Sequence, residues 1–204
     1  MLQARLNLIT ADPLRLSDAV KFIEAEARPV AESLPGSLGM SLYANPELAV
    51  AILESFWASR EALVQSGEMV SPSRDEAVRR AAGTVTIERY RVPVFEREAP
   101  LSAGAGLRLT RMDIEPSGVA DAVEAHGDTA VPRLAEAEGF CGALLLVEPD
   151  TGHLISETIW RSPQTLAGSR SIAAAIRVDM VASTGCLIRA VEEYGLIFSS
   201  ARKA

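Results

Sequence analysis

With 204 residues, 48% of them hydrophobic and 23% charged, the chain has enough apolar material for a packed core and no disordered, collagen-like or coiled-coil bias. A formal charge of −7 without a basic run argues against a nucleic-acid surface, which needs clustered Lys and Arg to neutralise phosphates. No run of about 18 uncharged apolar residues offers a membrane span, and the opening MLQARLNLITADP lacks a signal peptide's apolar region, so neither a membrane nor a secretory route is expected and the default location is cytoplasmic.

Residues 4–10 alternate or run apolar for a strand's length, and Asp12-Pro13 then places a proline where a helix's first turn tolerates it. Leu16, Val20, Ile23 and Ala27 fall on one face of a 3.6-residue period, predicting a helix that Pro29 kinks or ends. GSLGMSLYA and AVAILESFW, on either side of the turn NPEL, predict a hairpin. Ser59 suits the N-cap of a second helical stretch, with Glu76 to Arg80 as a later piece, and a last strand runs from Thr84 to Phe95.

The same order then recurs. Trp57 in ESFWAS and Trp160 in ETIWRS differ in position by 160 − 57 = 103. Laying residues 5–66 on residues 108–169 gives eighteen identities without a gap, among them Arg5/Arg108, Pro29/Pro132, Gly36/Gly139, Gly39/Gly142, Glu54/Glu157, Trp57/Trp160 and Ser66/Ser169. One extra residue later, Glu88 and Tyr90 match Glu192 and Tyr194. The chain is a duplication whose period is too long for a solenoid, so each copy is expected to be a small domain, residues 1–97 and residues 105–204, with 98–104 as linker.

Each copy has the order β-α-β-β-α-β, the ferredoxin-like split βαβ unit, which lays both helices on one face of the sheet. GALLLV and AVAIL are apolar on both strand faces, so the second face must also be covered. The simplest cover is the other copy, sheet against sheet. The expected fold class is therefore α+β: two ferredoxin-like repeats forming a closed or nearly closed barrel, a fused pseudo-dimer that is free to pair further as a homodimer.

A helix ending just before P-G-x-x-G or E-G-F-x-G, and a third strand closing with E-[ST]-x-W-x-S, resemble the antibiotic-biosynthesis monooxygenase type of dimeric α/β barrel. The resemblance covers both copies. It implies a pocket between sheet and helices, lined by aromatic and polar side chains, in which a phenolic or quinol compound is oxidised by O2 without a cofactor. The alternative is a non-catalytic barrel that binds a small aromatic or apolar ligand or serves a structural role, because fold alone does not choose an activity. The haem-degrading branch is disfavoured. Asn7 sits where that branch has a strand Asn, but the positions nine after the strand tryptophans are Ser66 and Ser169, and no His follows residue 153 to ligate iron.

Two copies freed from identity can divide labour, and they differ where Ile23 is matched by His126 and Asn7 by Thr110. A cavity in the second copy is expected to gather His126, Thr110, Thr158, Trp160 and Tyr194, with His126 as a base toward a phenol. The plainer alternative for His126 is a core histidine with one hydrogen bond to backbone. Asn7 and Trp57 are the counterparts in the first copy. Both tryptophans also suit the role of packing anchors. Glu54 and Glu157 alternate to the opposite strand face, where Arg5, Arg108 or Arg111 could pair with them. Two His and two Cys, Cys141 and Cys186, lack metal-site spacing, so no metal is expected.

Overall fold

The computed structural model describes residues 1–97 and 101–202; residues 98–100, inside the expected linker 98–104, lie outside the described residues. The first half runs β1 (Gln3–Thr10), α1 (Leu16–Phe22), α2 (Arg28–Ser33), β2 (Ser37–Asn45), β3 (Val50–Trp57), α3 (Arg60–Met69), α4 (Ser71–Ala81) and β4 (Thr84–Arg97). The second half repeats it with β5 (Gly106–Asp113), α5 (Val119–Ala125), α6 (Val131–Ala135), β6 (Phe140–Glu148), β7 (His153–Trp160), α7 (Pro163–Gly168), α8 (Arg170–Thr184) and β8 (Leu187–Ser199). The fold is α+β, and its strands follow the order β1-β3-β2-β8-β5-β7-β6-β4 in a closed barrel.

The chain forms two compact units, Met1–Tyr90 with Leu196–Ala204, and Arg91–Gly195. The first unit is completed by the end of the chain. Ser200 N–H donates to Met40 O at 2.8 Å and Arg202 N–H to Leu38 O at 3.0 Å, extending the sheet beside β2. In the second unit the end of β4 plays the same part, with Arg91↔Val147 through Arg97↔Gly142 along β6.

In the first unit β3 pairs antiparallel with β1, from Gln3↔Trp57 to Thr10↔Val50, and with β2 on its other side. Successive side chains alternate faces, so Arg5, Asn7 and Ile9 share the helix side with Ser55 and Trp57. Against that side pack Leu16, Ala19 and Phe22 of α1 and Ala77 and Ala81 of α4, together with Ile9, Met40 and Ala51. Full burial of each large apolar side chain is worth about 1.5–3 kcal/mol. The second unit repeats the layering with Met112, Val119, Leu134, Leu145, Trp160, Ile176 and Met180.

Pro29 and Pro132 were expected to kink or end the first helix of each repeat, and neither ends it. The helix continues through a π-helical turn, Ile23–Ala27 in one repeat and His126–Ala130 in the other. Arg28 N–H reaches back to Ile23 O, and Val131 N–H to His126 O. The wider turn lets the helix run on into α2 and α6, each with a proline in its first turn.

The G-x-x-G motifs have a backbone cause. Gly36 and Gly139 take φ of 77° and 80°, a left-handed conformation that disfavours any side chain. A Cβ on Gly142 would stand 2.5 Å from Glu96 O, and one on Gly39 would overlap Ser200 O. The second glycine therefore lets the completing strand lie alongside, and the strands shift register there, between Ser37 and Met40 and between Phe140 and Gly142.

Among the described residues no helix is long and apolar enough to cross a membrane. Cys141 and Cys186 are buried and, among the described residues, in no disulfide.

Candidate functional site

Each unit holds a cleft between the helix-facing side of its sheet and its helices, and the two are built from equivalent positions. In the first unit Arg5, Asn7, Ile9, Leu53 and Ser55 of the sheet meet Ile23, Ala27 and Ala31 of the first helix and Val70, Ser73, Arg74 and Ala77 at α4. In the second, Arg108, Thr110, Met112, Ser156 and Thr158 meet His126, Ala130, Leu134, Ala173, Ile176, Arg177 and Met180. Each cavity measures about 40 Å3, enough for about three or four water molecules at about 10–15 Å3 apiece.

The second cleft is the more polar. Its floor is the cross-strand pair Thr110↔Ser156 beside Arg108↔Thr158. His126 enters from above, on the first residue of the π-helical turn, where the widened helix aims a side chain that a regular helix would place elsewhere. It is 2% exposed and hydrogen-bonds the Leu144 backbone, while Nε2 has no partner. A bond to a carbonyl requires a donor, so the ring proton is assigned to Nδ1, and Nε2 offers a buried lone pair. Burial holds the pKa down to about 4 against the pull of Leu144, so the ring is neutral at pH 7.

Arg108 closes the other end. Its guanidinium donates to Ser169 Oγ at 2.8 Å, to Leu166 O at 2.7 Å and to Glu193 Oε1 at 2.8 Å. Arg170 reaches Glu193 Oε2 at 2.6 Å. These contacts, led by Arg170 and followed by Arg108, hold the Glu193 carboxyl below its usual range against the effect of burial.

Of the residues expected to form the site, His126, Thr110 and Thr158 meet in the second cleft, and Asn7 lines the first. Trp57 and Trp160 are 0% exposed and line neither. Each indole anchors its strand end, with Nε1 donating at 3.0 Å to Ser55 Oγ and to Thr158 Oγ1 respectively. Trp160 thereby holds one lone pair of Thr158 and leaves its hydroxyl proton for the cleft. Tyr194 lies opposite Leu107, on the other face of the sheet from Arg108, and donates to Glu192 Oε2 at 2.8 Å. Burial and Glu192 push its hydroxyl pKa up.

Arg5 and Arg108 also lie on the helix face, opposite Ser55 and Thr158, so the expected pairing of either with Glu54 or Glu157 is corrected. Glu54 and Glu157 stand opposite Leu6 and Leu109, one residue out of step with the arginines. Sequence reasoning missed Arg74 and Arg177, which keep the offset of 177 − 74 = 103 beyond the stretch first aligned. It also missed Ser156. Among the described residues no group of three or more His, Cys, Asp or Glu side chains is placed to hold a metal ion.

No family model matches the chain. An uncharacterized protein of Mycobacterium tuberculosis, Rv2558, is 28% identical over 200 residues, spanning 98% of this chain and 85% of that protein. Among solved structures, an anthrone oxidase-like protein superposes with a TM-score of 0.71 at 16% identity, covering 97% of this chain and 92% of that one. An uncharacterized ferredoxin-fold protein of Listeria monocytogenes related to antibiotic biosynthesis monooxygenases gives a TM-score of 0.55 at 10% identity, with 96% and 95% covered. The fold is the ferredoxin-type α/β barrel that these structures share.

Proposed function

We propose that the second cleft binds a small phenol or quinol and that the protein oxidises it with O2, as a cofactor-independent monooxygenase. The observation that carries this reading is the buried, unpartnered Nε2 of His126 facing a floor of hydroxyls. An orphaned acceptor costs about 1–3 kcal/mol, and a ligand hydroxyl relieves that penalty. Thr110, Ser156 and Thr158 then orient the ring, and the likeness to an anthrone oxidase-like protein supports a fused-ring substrate. A ring enters by displacing Met112 and Met180, unbranched side chains that repack readily.

His126 is not a ground-state base in this scheme. Its pKa of about 4 lies roughly six units below that of a phenol, and full proton transfer would cost about 8 kcal/mol. Instead it holds the hydroxyl and takes the proton once the ring has given an electron to O2, when that proton has become strongly acidic. In the net reaction an activated ring CH2 and O2 become C=O and H2O. Haem has no place in the scheme: Ser66 and Ser169, nine residues past the tryptophans, are tied to Arg5 and Arg108 at 3.1 and 2.8 Å.

The low pKa of His126, with no Asp or Glu among the cleft's lining residues, also favours a second reading, a binding protein without catalysis. An oxygen electrode separates the two when an anthrone or a dihydroxynaphthalene is added. Uptake above autoxidation that is lost in His126→Ile supports the oxidase. Binding without uptake leaves the carrier, and no binding removes both.

A further inference from the structure

The two clefts share an arginine pair but not its neutralisation. In the second repeat Glu193 faces Arg108, and Arg170 joins it from the helix side. In the first repeat the position of Glu193 is Arg89, since Glu88 and Tyr90 on either side match Glu192 and Tyr194. One strand position has therefore exchanged a carboxylate for a guanidinium beside a buried arginine.

Among the described residues Arg5 has only neutral partners. Its guanidinium donates to Leu63 O and to Ser66 Oγ and lies 5.6 Å from the Trp57 ring, while its Nε is buried without a partner. The residue is 1% exposed. Burial first, then Arg89 and Arg74, depress its pKa to about 10. Arg74, on the cleft's helical wall, spends one contact on Ser71 Oγ at 2.8 Å. No Asp or Glu is among the residues lining this cleft. A buried cation surrounded by further cations is unfavourable unless an anion completes it.

A second orphan lies on the same strand face. Asn7 Nδ2 donates to Leu53 O at 3.2 Å, but its buried Oδ1 accepts nothing. Arg5 and Asn7 are two residues apart, about 7 Å along a strand. Around them the walls are apolar: Ile9, Ile23, Met40, Leu53 and Ala77. The helical side is thinner than in the second cleft, where Leu134 and Met180 replace Ala31 and Ala77.

We propose that the first cleft binds a small hydroxylated aromatic carboxylate, its carboxylate held by Arg5 and Arg74 in the field of Arg89 and its hydroxyl donated to Asn7 Oδ1. Two carboxylate oxygens match the guanidinium fork, and a single negative charge suits an apolar cleft better than a phosphate dianion. The repeats would thus hold different ligands, an anion in the first and a neutral phenol in the second.

Titration calorimetry of the full chain at low ionic strength tests this with 4-hydroxybenzoate, benzoate and phenol. The expected result is one 4-hydroxybenzoate per chain, with affinity lowered about tenfold or more by Arg74→Gln and by Arg89→Glu, which recreates the charge pattern of the second cleft. Asn7→Leu should abolish the preference for 4-hydroxybenzoate over benzoate, and methyl NMR shifts should fall on Ile9 and Ile23. His126→Ile, which reports on the second cleft, should leave this binding unchanged. The proposal is overturned if 4-hydroxybenzoate does not bind, if folded Arg89→Glu binds it as tightly as the native chain, or if His126→Ile alone removes it.

Discussion

Arg108 donates to Glu193 Oε1 from Nε at 3.1 Å and from Nη2 at 2.8 Å, with an Arg108 side chain only 3% exposed. Glu193 is itself a quarter exposed, so water screens part of the attraction. Glu193→Gln should lower stability by about 1–2 kcal/mol at pH 7, less than for a fully buried pair. The folded carboxyl titrates below its unfolded value, so its stabilisation is present above about pH 4.3 and fades as pH falls through the folded value. Urea unfolding at pH 7 and pH 3.5 should show the gap between native chain and variant closing at the lower pH.

His126 has the same sign of shift from a different cause. Its folded pKa of about 4 is below the unfolded 6.5, so the unfolded state takes up the proton first, and stability is lost as pH falls from 6.5 toward 4. Between pH 7 and pH 5 the native chain should lose about 2 kcal/mol from this group. His126→Ile, which borrows the residue of the first repeat, should remove that part of the pH dependence in urea midpoints. An unchanged pH slope would show that the ring is not buried as a neutral base.

Trp160 fills its strand end and ties Thr158. Trp160→Ala should cost about 3–5 kcal/mol, as large aromatic truncations do. Trp160→Phe should cost about 1–2 kcal/mol, because Thr158 loses its donor and the smaller ring leaves a gap. The milder variant should also weaken phenol binding in the second cleft, since Thr158 then turns freely.

Gly142 cannot carry a side chain where Glu96 O passes 2.5 Å from the site of a Cβ. Gly142→Ala should push the end of β4 off β6 and cost about 2–4 kcal/mol, in the range of overpacking and backbone strain. Hydrogen exchange should show early loss of protection along residues 91–97, with β7 affected later.

The duplication, the element order and the helix-facing placement of Thr110, Thr158 and His126 were all legible in the chain, because a two-residue strand period and a 3.6-residue helix period assign faces without coordinates. Strand phase across partners was not: placing Arg5 against Glu54 required a register, and register is set by the pairing of distant strands. At Pro29 and Pro132 the sequence leaves a kink and an end equally open, because the π-helical turn that precedes each proline has no local signature.

From its sequence alone the protein was determined to be two copies of one α+β unit, with glycines where backbone must approach backbone and function sought where the copies disagree. Only the tertiary structure decided which disagreements matter. Ile23 against His126 and Arg89 against Glu193 are single substitutions among many until packing buries an imidazole lone pair in one cleft and leaves a guanidinium without a counter-charge in the other. Burial gives these differences their weight, since a polar or charged group removed from water must find a partner, and no local pattern records which groups lose their water.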